Sequence, residues 1–257
     1  MSRERTYRTE AIVLRRSDMG EADRLLTLYT RELGKLRAIG KGARKPRSRK
    51  TGHIELFMRS QFMLAQGRNL DIVTQVETVE PYRAIRTDLI RTTYAAYAVE
   101  LLDNFTPDAE KHTGLYQLLS DVLWWFGETD NLLLSARYYE LRLLSLVGFQ
   151  PQLFVCVASG EVIEDEDQYF SAEEGGLIKT AFRHRDRRAR PVSAAAVKVM
   201  RFLQTRPWDV VQNLQLRRDL HHELETVMHF YIQFLLEKNV KSADFLYRLR
   251  HEASRYE

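Results

Sequence analysis

The chain predicts an α+β fold, a five-stranded barrel followed by a helical bundle, and three observations carry that expectation. Residues 1 to about 80 hold five short runs rich in Ile, Val, Leu, Thr and aromatics, separated by Gly, Asp, Asn and basic residues. After Pro81 the apolar spacing lengthens to the helical period. Between Gln150 and Arg190 the helical pattern breaks at Pro151, Gly160, an acidic stretch, the pair Gly175-Gly176 and the basic stretch RHRDRRAR.

The five runs are Thr9 to Arg15, Arg24 to Thr30, Lys35 to Ile39, Ile54 to Leu64 and Leu70 to Val79. Arg31-Glu32-Leu33-Gly34 joins the second to the third as a hairpin turn, where Gly34 is free to take the positive φ such turns require. An OB-fold is the economical arrangement, because it is a five-stranded barrel that commonly binds oligonucleotides. Fold alone does not give function. Asp88 to Leu102, the face Leu115, Leu118, Leu119, Val122, Leu123 and Phe126, and Asn131 to Leu146 read as helices. Trp124 and Trp125 sit in the second of these; an aromatic pair can stack on bases, but at helical spacing the core is the expected place. Residues 151–192 read as an inserted loop or small hairpin, whose acids Glu161, Glu164, Asp165, Glu166 and Asp167 either solvate it or screen the bases from Arg183 to Arg190. Helices resume with Ser193 as the N-cap of AAAVKVMRFLQ and continue through Leu214 to Leu236 and Ala243 to Leu249. The expected organisation is a barrel over 1–80, a helical domain over 81–150 and 193–257, and the insertion between its two parts.

A length of 257 residues with 44% apolar content is enough to build real cores, in one large domain or two or three small ones. The net charge is only +4, so the field that matters is a local patch. No apolar run approaches the roughly 20 residues that span a bilayer, and the opening MSRERTYR lacks the hydrophobic segment of a secretory signal, so the expected location is the cytoplasm. Cys156, the single cysteine, cannot make an internal disulfide, which fits a reducing compartment.

Gly34 to Lys50, GKLRAIGKGARKPRSRK, carries eight Lys/Arg side chains and no acid. Lys35, Arg37, Lys41, Arg44, Lys45, Arg47, Arg49 and Lys50 can each neutralise a phosphate, the contact that dominates sequence-independent nucleic-acid affinity. The competing reading is a solvated loop without a partner, since like charges repel and resist packing. Arg15, Arg16 and Arg24 extend a groove beside the run. Tyr29, Phe57 and Phe62 are candidates for base stacking, with the barrel core as the leading alternative for each.

The order AIVL, ADRLLTLYTRELGKLRAIGKGARKPRSR, Gly148-Phe149-Gln150-Pro151, Gly175-Gly176 and a final KSADFL from Lys241 resembles the RecO family of bacterial DNA repair and recombination mediators. The resemblance spans nearly the whole chain and is most specific from Asp23 to Arg49. It implies an N-terminal OB-fold, a helical domain with an embedded zinc-ribbon-like insertion, and no catalytic centre. It also implies binding of single- and double-stranded DNA, annealing of complementary strands, contact with the single-strand-binding protein SSB, and action with RecR that helps RecA load. Many RecO-like sequences carry two CxxC pairs in the insertion; the matching positions here are Cys156, Ser159, Lys179 and Phe182. One thiolate cannot hold zinc tetrahedrally, a Lys ammonium offers no lone pair and Phe182 has no ligand atom, so no metal and no cofactor are expected. Phe182, Phe154, Phe170 and Ile178 are expected to fill the vacated centre as an apolar cluster.

No catalytic constellation emerges. HHELETVMH from His221 has its histidines at the wrong spacing for HExxH, GKGARK lacks the order of a phosphate-binding GxxxxGK[ST] loop, and no GxSxG elbow occurs. The expected mechanism is electrostatic capture of DNA combined with protein recruitment. Two alternatives stand beside it, a scaffold whose basic run binds an acidic protein and an RNA-binding OB protein.

Overall fold

The computed structural model describes residues 6–253; the first five residues of the opening segment and residues 254–257 lie outside the described residues. The chain divides into two compact units between Glu128 and Thr129.

The first unit begins with β1 (Thr6–Met19), β2 (Asp23–Thr30), β3 (Gly34–Gly40), β4 (Arg59–Ala65) and β5 (Asp71–Glu80), closed into a barrel in the order β1-β2-β3-β5-β4. Each of the five expected runs supplies a strand. β1 is long because it serves two neighbours: its C-terminal half pairs with β2 from Ala11↔Thr30 to Met19↔Asp23, and its N-terminal half pairs with β4 from Thr6↔Ala65 to Ile12↔Arg59. A parallel pairing of β3 with β5 completes the ring, with Ala38 opposite Asp71. The inward faces put Ala11, Val13, Leu26, Leu28, Ala38, Phe62, Leu64 and Val73 into one core, joined by Ala43 and Ile54 from the loop after β3. The closing seam is short, two residue pairs at Ala38↔Asp71 and Ile39↔Ile72.

The fourth strand starts at Arg59 and not at Ile54. Between them a 3₁₀ turn (Thr51–His53) and an irregular stretch bury Ile54, Phe57 and Met58, and Phe57 takes φ +69, which a strand residue cannot hold. Gly34 has the expected left-handed backbone, φ +69, and a Cβ there would lie 1.9 Å from the carbonyl oxygen of Glu110. Two independent constraints therefore demand glycine at the hairpin.

Three helices follow in this unit: α1 (Arg83–Thr87), α2 (Leu89–Phe105) and α3 (Thr113–Glu128). Asp88 caps α2, its carboxylate accepting from the Arg91 N–H at 2.9 Å. α3 is tied to the barrel by polar contacts, the Tyr116 hydroxyl donating to Glu10 at 2.7 Å and the Arg59 guanidinium to Ser120 at 2.9 Å. Its buried face is Leu115, Leu118, Leu119, Val122, Leu123 and Phe126, as the spacing required. Trp124 is not core: it is 51% exposed, because it sits about 100° around the helix from Leu123 and away from that face. Trp125 is half-buried.

The second unit holds α4 (Leu132–Leu146), a sheet of β6 (Gln168–Ser171), β7 (Gly176–Ile178) and β8 (Arg190–Val192) in the order β7-β6-β8, then α5 (Ala194–Thr205), α6 (Trp208–Val211), α7 (Arg218–Leu236) and α8 (Lys241–Ala253). Ser193 caps α5, accepting from the Ala196 N–H at 3.1 Å while its own hydroxyl and N–H donate to the Glu223 carboxylate at 2.8 and 2.6 Å. Phe170 of β6 meets Tyr231 of α7 edge-on at 5.2 Å, joining the small sheet to the helices. Among the described residues no helix is long and apolar enough to cross a membrane.

Candidate nucleic-acid interface

The loop from Lys41 to Lys50 is pinned to the barrel at both ends and in its middle. Gly42 donates its N–H to the Asp23 carboxylate at 2.7 Å, Arg44 its N–H to the Ala22 carbonyl at 2.9 Å, and Ala43 is fully buried in the barrel core. Lys50 turns back and donates from Nζ to the Val73 carbonyl at 2.7 Å, while the Thr51 hydroxyl donates to the Ala43 carbonyl. Burial pushes the Lys50 ammonium down from its usual value, with the Asp23 charge opposing. One apolar residue set into the core thus fixes a segment that its charges alone would spread.

That anchoring sorts the eight expected phosphate contacts. Arg37, Lys41, Arg44, Lys45, Arg47 and Arg49 are exposed, and Lys50 is half-buried against the barrel. Arg44 is held by Asp18 at 3.3 Å and by donation to the Gly20 carbonyl at 3.1 Å. Among the described residues Arg37, Lys41, Lys45, Arg47 and Arg49 make no ion pair. Their charge is uncompensated at the protein surface, the condition for attracting a polyanion.

Lys35 has to be removed from the expected set. It shares the outer face of β3 with Arg37, but the segment following α2 covers it: Asp108 bridges to Lys35, and Ala109 donates its N–H to the Lys35 carbonyl at 2.8 Å. Its ammonium donates to the Asp103 carbonyl at 2.8 Å, the Asp103 carboxylate at 3.0 Å and the Thr106 carbonyl at 2.7 Å. All three protons are in use, and the side chain is only 10% exposed. Lys35 is a buried pin between barrel and helix, not a phosphate contact.

Lys35 forms part of the wall of a cleft of about 440 Å³ lined also by Arg15, Arg16, Ser17, Leu25, Thr27 and Arg37, with Asp103 and Asp108 opposing their charge. Arg15, Thr27 and Arg37 form one transverse row across β1, β2 and β3. A bulge between Val13 and Arg15 makes this row possible. In a regular strand Arg15 would share the inward face of Ala11 and Val13; one extra residue turns it outward. Arg15 pairs with Asp103, while Arg16 and Arg24 both pair with Glu55, the latter at 3.3 Å. The three stacking candidates point elsewhere. Tyr29 and Phe62 are fully buried and Phe57 is 5% exposed, so none of them offers a face to a base.

In the insertion, the four matched positions still form a tight knuckle. Cys156 donates its N–H to the Glu161 carbonyl at 2.7 Å, Gly160 returns its N–H to the Cys156 carbonyl at 2.8 Å, and the Lys179 N–H donates to Cys156 Sγ at 3.4 Å. Burial pushes the thiol up, but hydrogen bonds from Ser159 and from the Lys179 and Ala158 backbones outweigh it, and the net direction is downward. These residues do not fit zinc. Among the described residues no group of three His, Cys, Asp or Glu is placed to hold a metal ion, and Lys179 spends its ammonium on Glu161 at 2.7 Å. The expected apolar filling is only partly realised: Phe170 and Ile178 are fully buried and Phe182 half-buried, but Phe154 is 44% exposed beneath the Arg201 guanidinium, 5.2 Å from its ring.

The family descriptions "Recombination protein O N terminal" and "Recombination protein O C terminal" match residues 1–82 and 86–244. The chain belongs to the RecO family. It is 41% identical to the DNA repair protein RecO of Roseiflexus sp. (strain RS-1) over 244 residues, which is 95% of this chain and 86% of that protein. The RecO of Desulforamulus reducens is 36% identical, over 95% of this chain and 94% of its own length. A third relative, from Dehalococcoides mccartyi (strain ATCC BAA-2266 / KCTC 15142 / 195), is 34% identical over 94% and 95%. The N-terminal RecO match ends two residues after β5, and the C-terminal match begins within α1 and runs through α2 to α7 to end at Asp244 within α8.

Proposed function

We propose that this chain is a non-enzymatic DNA repair and recombination mediator whose barrel is an OB-fold that holds DNA along the loop from Lys41 to Arg49. The single observation that carries the reading is the anchored loop itself. A closed barrel presents Lys41, Lys45, Arg47 and Arg49 on a segment fixed by Ala43, with no acid among the described residues neutralising them. Phosphate contacts of this kind bind single- and double-stranded DNA without regard to sequence and leave the bases free to pair, which is what annealing of complementary strands requires. The strand order with a parallel β3–β5 closure supports the OB reading.

Family membership supports the remaining steps: contact with SSB, action with RecR and help in loading RecA onto SSB-coated single strands. The insertion is read as a zinc-ribbon-like knuckle kept without metal, its former ligand positions joined by the Lys179–Glu161 pair and the Cys156 hydrogen bonds. The row Arg15-Thr27-Arg37, with both arginines exposed, extends the DNA path across the outer face of the barrel. A strand-annealing assay with complementary oligonucleotides coated by SSB tests the whole reading. Acceleration by the wild-type chain, and its loss when Lys41, Lys45, Arg47 and Arg49 become alanine, is the expected result. Annealing no faster than with SSB alone refutes it.

A further inference from the structure

The second unit carries a cationic cleft that the barrel reading does not use. The 3₁₀ helix Thr180–Arg185 and the turn after it line an opening of about 350 Å³ with Thr180, Ala181, Arg183, His184 and Arg187. In sequence the run RHRDRRAR looks partly self-neutralised, because Asp186 lies in its middle and Glu173 and Glu174 lie nearby. The fold undoes that balance. Asp186 is turned inside, 4% exposed, accepting from the Ser171 hydroxyl at 2.7 Å and from the Arg188 N–H at 2.8 Å. The two glutamates are consumed by other arginines, Glu174 by Arg185 at 3.1 Å and Glu173 by Arg188 at 3.5 Å. What remains facing the cleft, Arg183 and Arg187, has no acidic partner among the described residues.

Arg183 is also held in place. Its guanidinium lies 4.9 Å over the Tyr169 ring, which fixes the plane of the fork while leaving its N–H edge to bind. Two guanidinium groups and the Thr180 hydroxyl around a concave space are donors only or donor-rich, and they match the oxygens of a phosphodiester. The lining offers a single small apolar side chain, Ala181, and no pocket for an aromatic or aliphatic anchor. An acidic peptide, which draws its affinity from such anchors, fits this surface less well than a nucleic-acid backbone does.

We propose that the Arg183–Arg187 cleft is a second phosphate-backbone site, which holds a strand of single-stranded nucleic acid independently of the barrel loop. The inference rests on the nucleic-acid reading of the chain but assigns that role to a different unit. Two backbone sites on one chain would let it hold two strands at once, so loss of the second site should damage annealing more than simple binding.

The test uses the full chain, fluorescent oligothymidylate as probe, and three variants: Arg183→Gln with Arg187→Gln, alanine at Lys41, Lys45, Arg47 and Arg49, and the two sets combined. Wild type is expected to bind two short oligonucleotides per chain, each partial variant one, and the combined variant none. The loss at the cleft should lower the salt-dependence slope by about 1.4, about 0.7 for each of two contacts. Unchanged far-ultraviolet circular dichroism and melting temperature for the Gln variant keep the comparison free of unfolding. Arg183→Lys, which keeps charge but not the fork, should fall between wild type and the Gln variant. If the Gln variant still binds two strands with the wild-type slope, the cleft is not a strand site, and the barrel reading stands untouched. No DNA binding by wild type at all removes both readings together. Displacement of the second oligonucleotide by an equal phosphorus concentration of inorganic phosphate, or by polyglutamate of equal length, overturns the assignment in favour of a free anion or an acidic peptide.

Discussion

Lys35 and the loop beyond it carry the same charge and should behave in opposite ways. In Lys35→Met the apolar stem is kept and the ammonium is removed. Three oxygens then lose their donor, the carbonyls of Asp103 and Thr106 and the Asp103 carboxylate, in a site where both partners are 10% exposed. Breaking one side of a buried pair costs about 3 to 5 kcal/mol, and the lower end applies because Arg15 still pairs with Asp103. About 3 kcal/mol corresponds to a drop in melting temperature on the order of 10 °C for a unit of this size. The DNA salt dependence should not change, because the ammonium has no free proton to give a phosphate. Alanine at Lys41, Lys45, Arg47 and Arg49 should do the reverse. Stability should stay within about 0.5 kcal/mol per site, as these exposed side chains make no ion pairs among the described residues. The slope of log K against log salt for a single strand should fall by up to about 2.8, four contacts at about 0.7 each. Fluorescence anisotropy of a labelled oligothymidylate between ~50 and ~200 mM salt reads the slope, and differential scanning calorimetry reads the stability. A Lys35→Met protein that melts like wild type but has a shallower slope would refute the assignment of Lys35 as a buried pin.

Tyr29 is buried with no hydrogen-bond partner for its hydroxyl among the described residues, and burial, helped by the Glu110 charge, pushes its pKa up to about 12. The folded state keeps that proton while the unfolded state releases it near pH 10, so stability present below pH 10 falls as pH rises from 10 towards 12. Tyr29→Phe should raise stability at neutral pH by about 1 kcal/mol and remove one late step from the ultraviolet tyrosine titration; a destabilised variant would mean the hydroxyl has a partner. His229 is held below its usual value by burial and by the Arg137 charge, against the opposing charges of Asp244 and Glu225. Its contribution is full above pH 6.5 and is lost as pH falls from there through the folded value, at no more than about 1.4 kcal/mol per pH unit. Urea unfolding of His229→Gln should show a flatter acid limb than wild type, and an identical limb would assign the acid sensitivity elsewhere. For the knuckle, protein purified without added metal should contain no stoichiometric zinc, and a chelator should leave its melting temperature unchanged; one zinc per chain by elemental analysis would contradict the donor set. Gly34→Ala should destabilise by more than about 2 kcal/mol, combining the left-handed backbone with a Cβ 1.9 Å from the Glu110 carbonyl, and a wild-type melting curve would show that the hairpin relaxes freely.

What was legible in the sequence is what local pattern controls. The five strands, the Gly34 turn, the buried face of α3 and the Ser193 cap all follow from periods and caps a few residues long. Contacts distant in sequence were not legible. Lys35 and Arg37 share one strand face by alternation, and only the segment from Asp103 to Ala109, about 70 residues later, separates a buried cation from an exposed one. The bulge at Val13 and Arg15 leaves no mark in composition, yet it decides whether Arg15 enters the core or joins the outer row. Trp124 leaves the expected core for a different reason: two residues before Phe126, it lies about 200° around the helix from it and so opposite the buried stripe, while Trp125 falls at the edge of that stripe.

The same logic explains why charge counts along this chain mislead in both directions. Gly34 to Lys50 looks like eight equivalent cations, but the fold withdraws Lys35 entirely and folds Lys50 back onto Val73. RHRDRRAR looks partly neutralised, but the fold buries its one acid and assigns the neighbouring glutamates to Arg185 and Arg188. In each case one inward residue, Ala43 in the loop and Asp186 in the turn, fixes a short segment so that Lys41, Lys45, Arg47 and Arg49 in the one and Arg183 and Arg187 in the other have no acidic partner among the described residues. Such an arrangement holds like charges together at an electrostatic cost that no contact within either segment offsets. A polyanion would offset it, because neutralising phosphates and releasing their counterions relieves the repulsion on both sides. Screening by salt should therefore stabilise the free protein slightly while weakening its DNA complex strongly, and the two opposing trends arise from the same side chains.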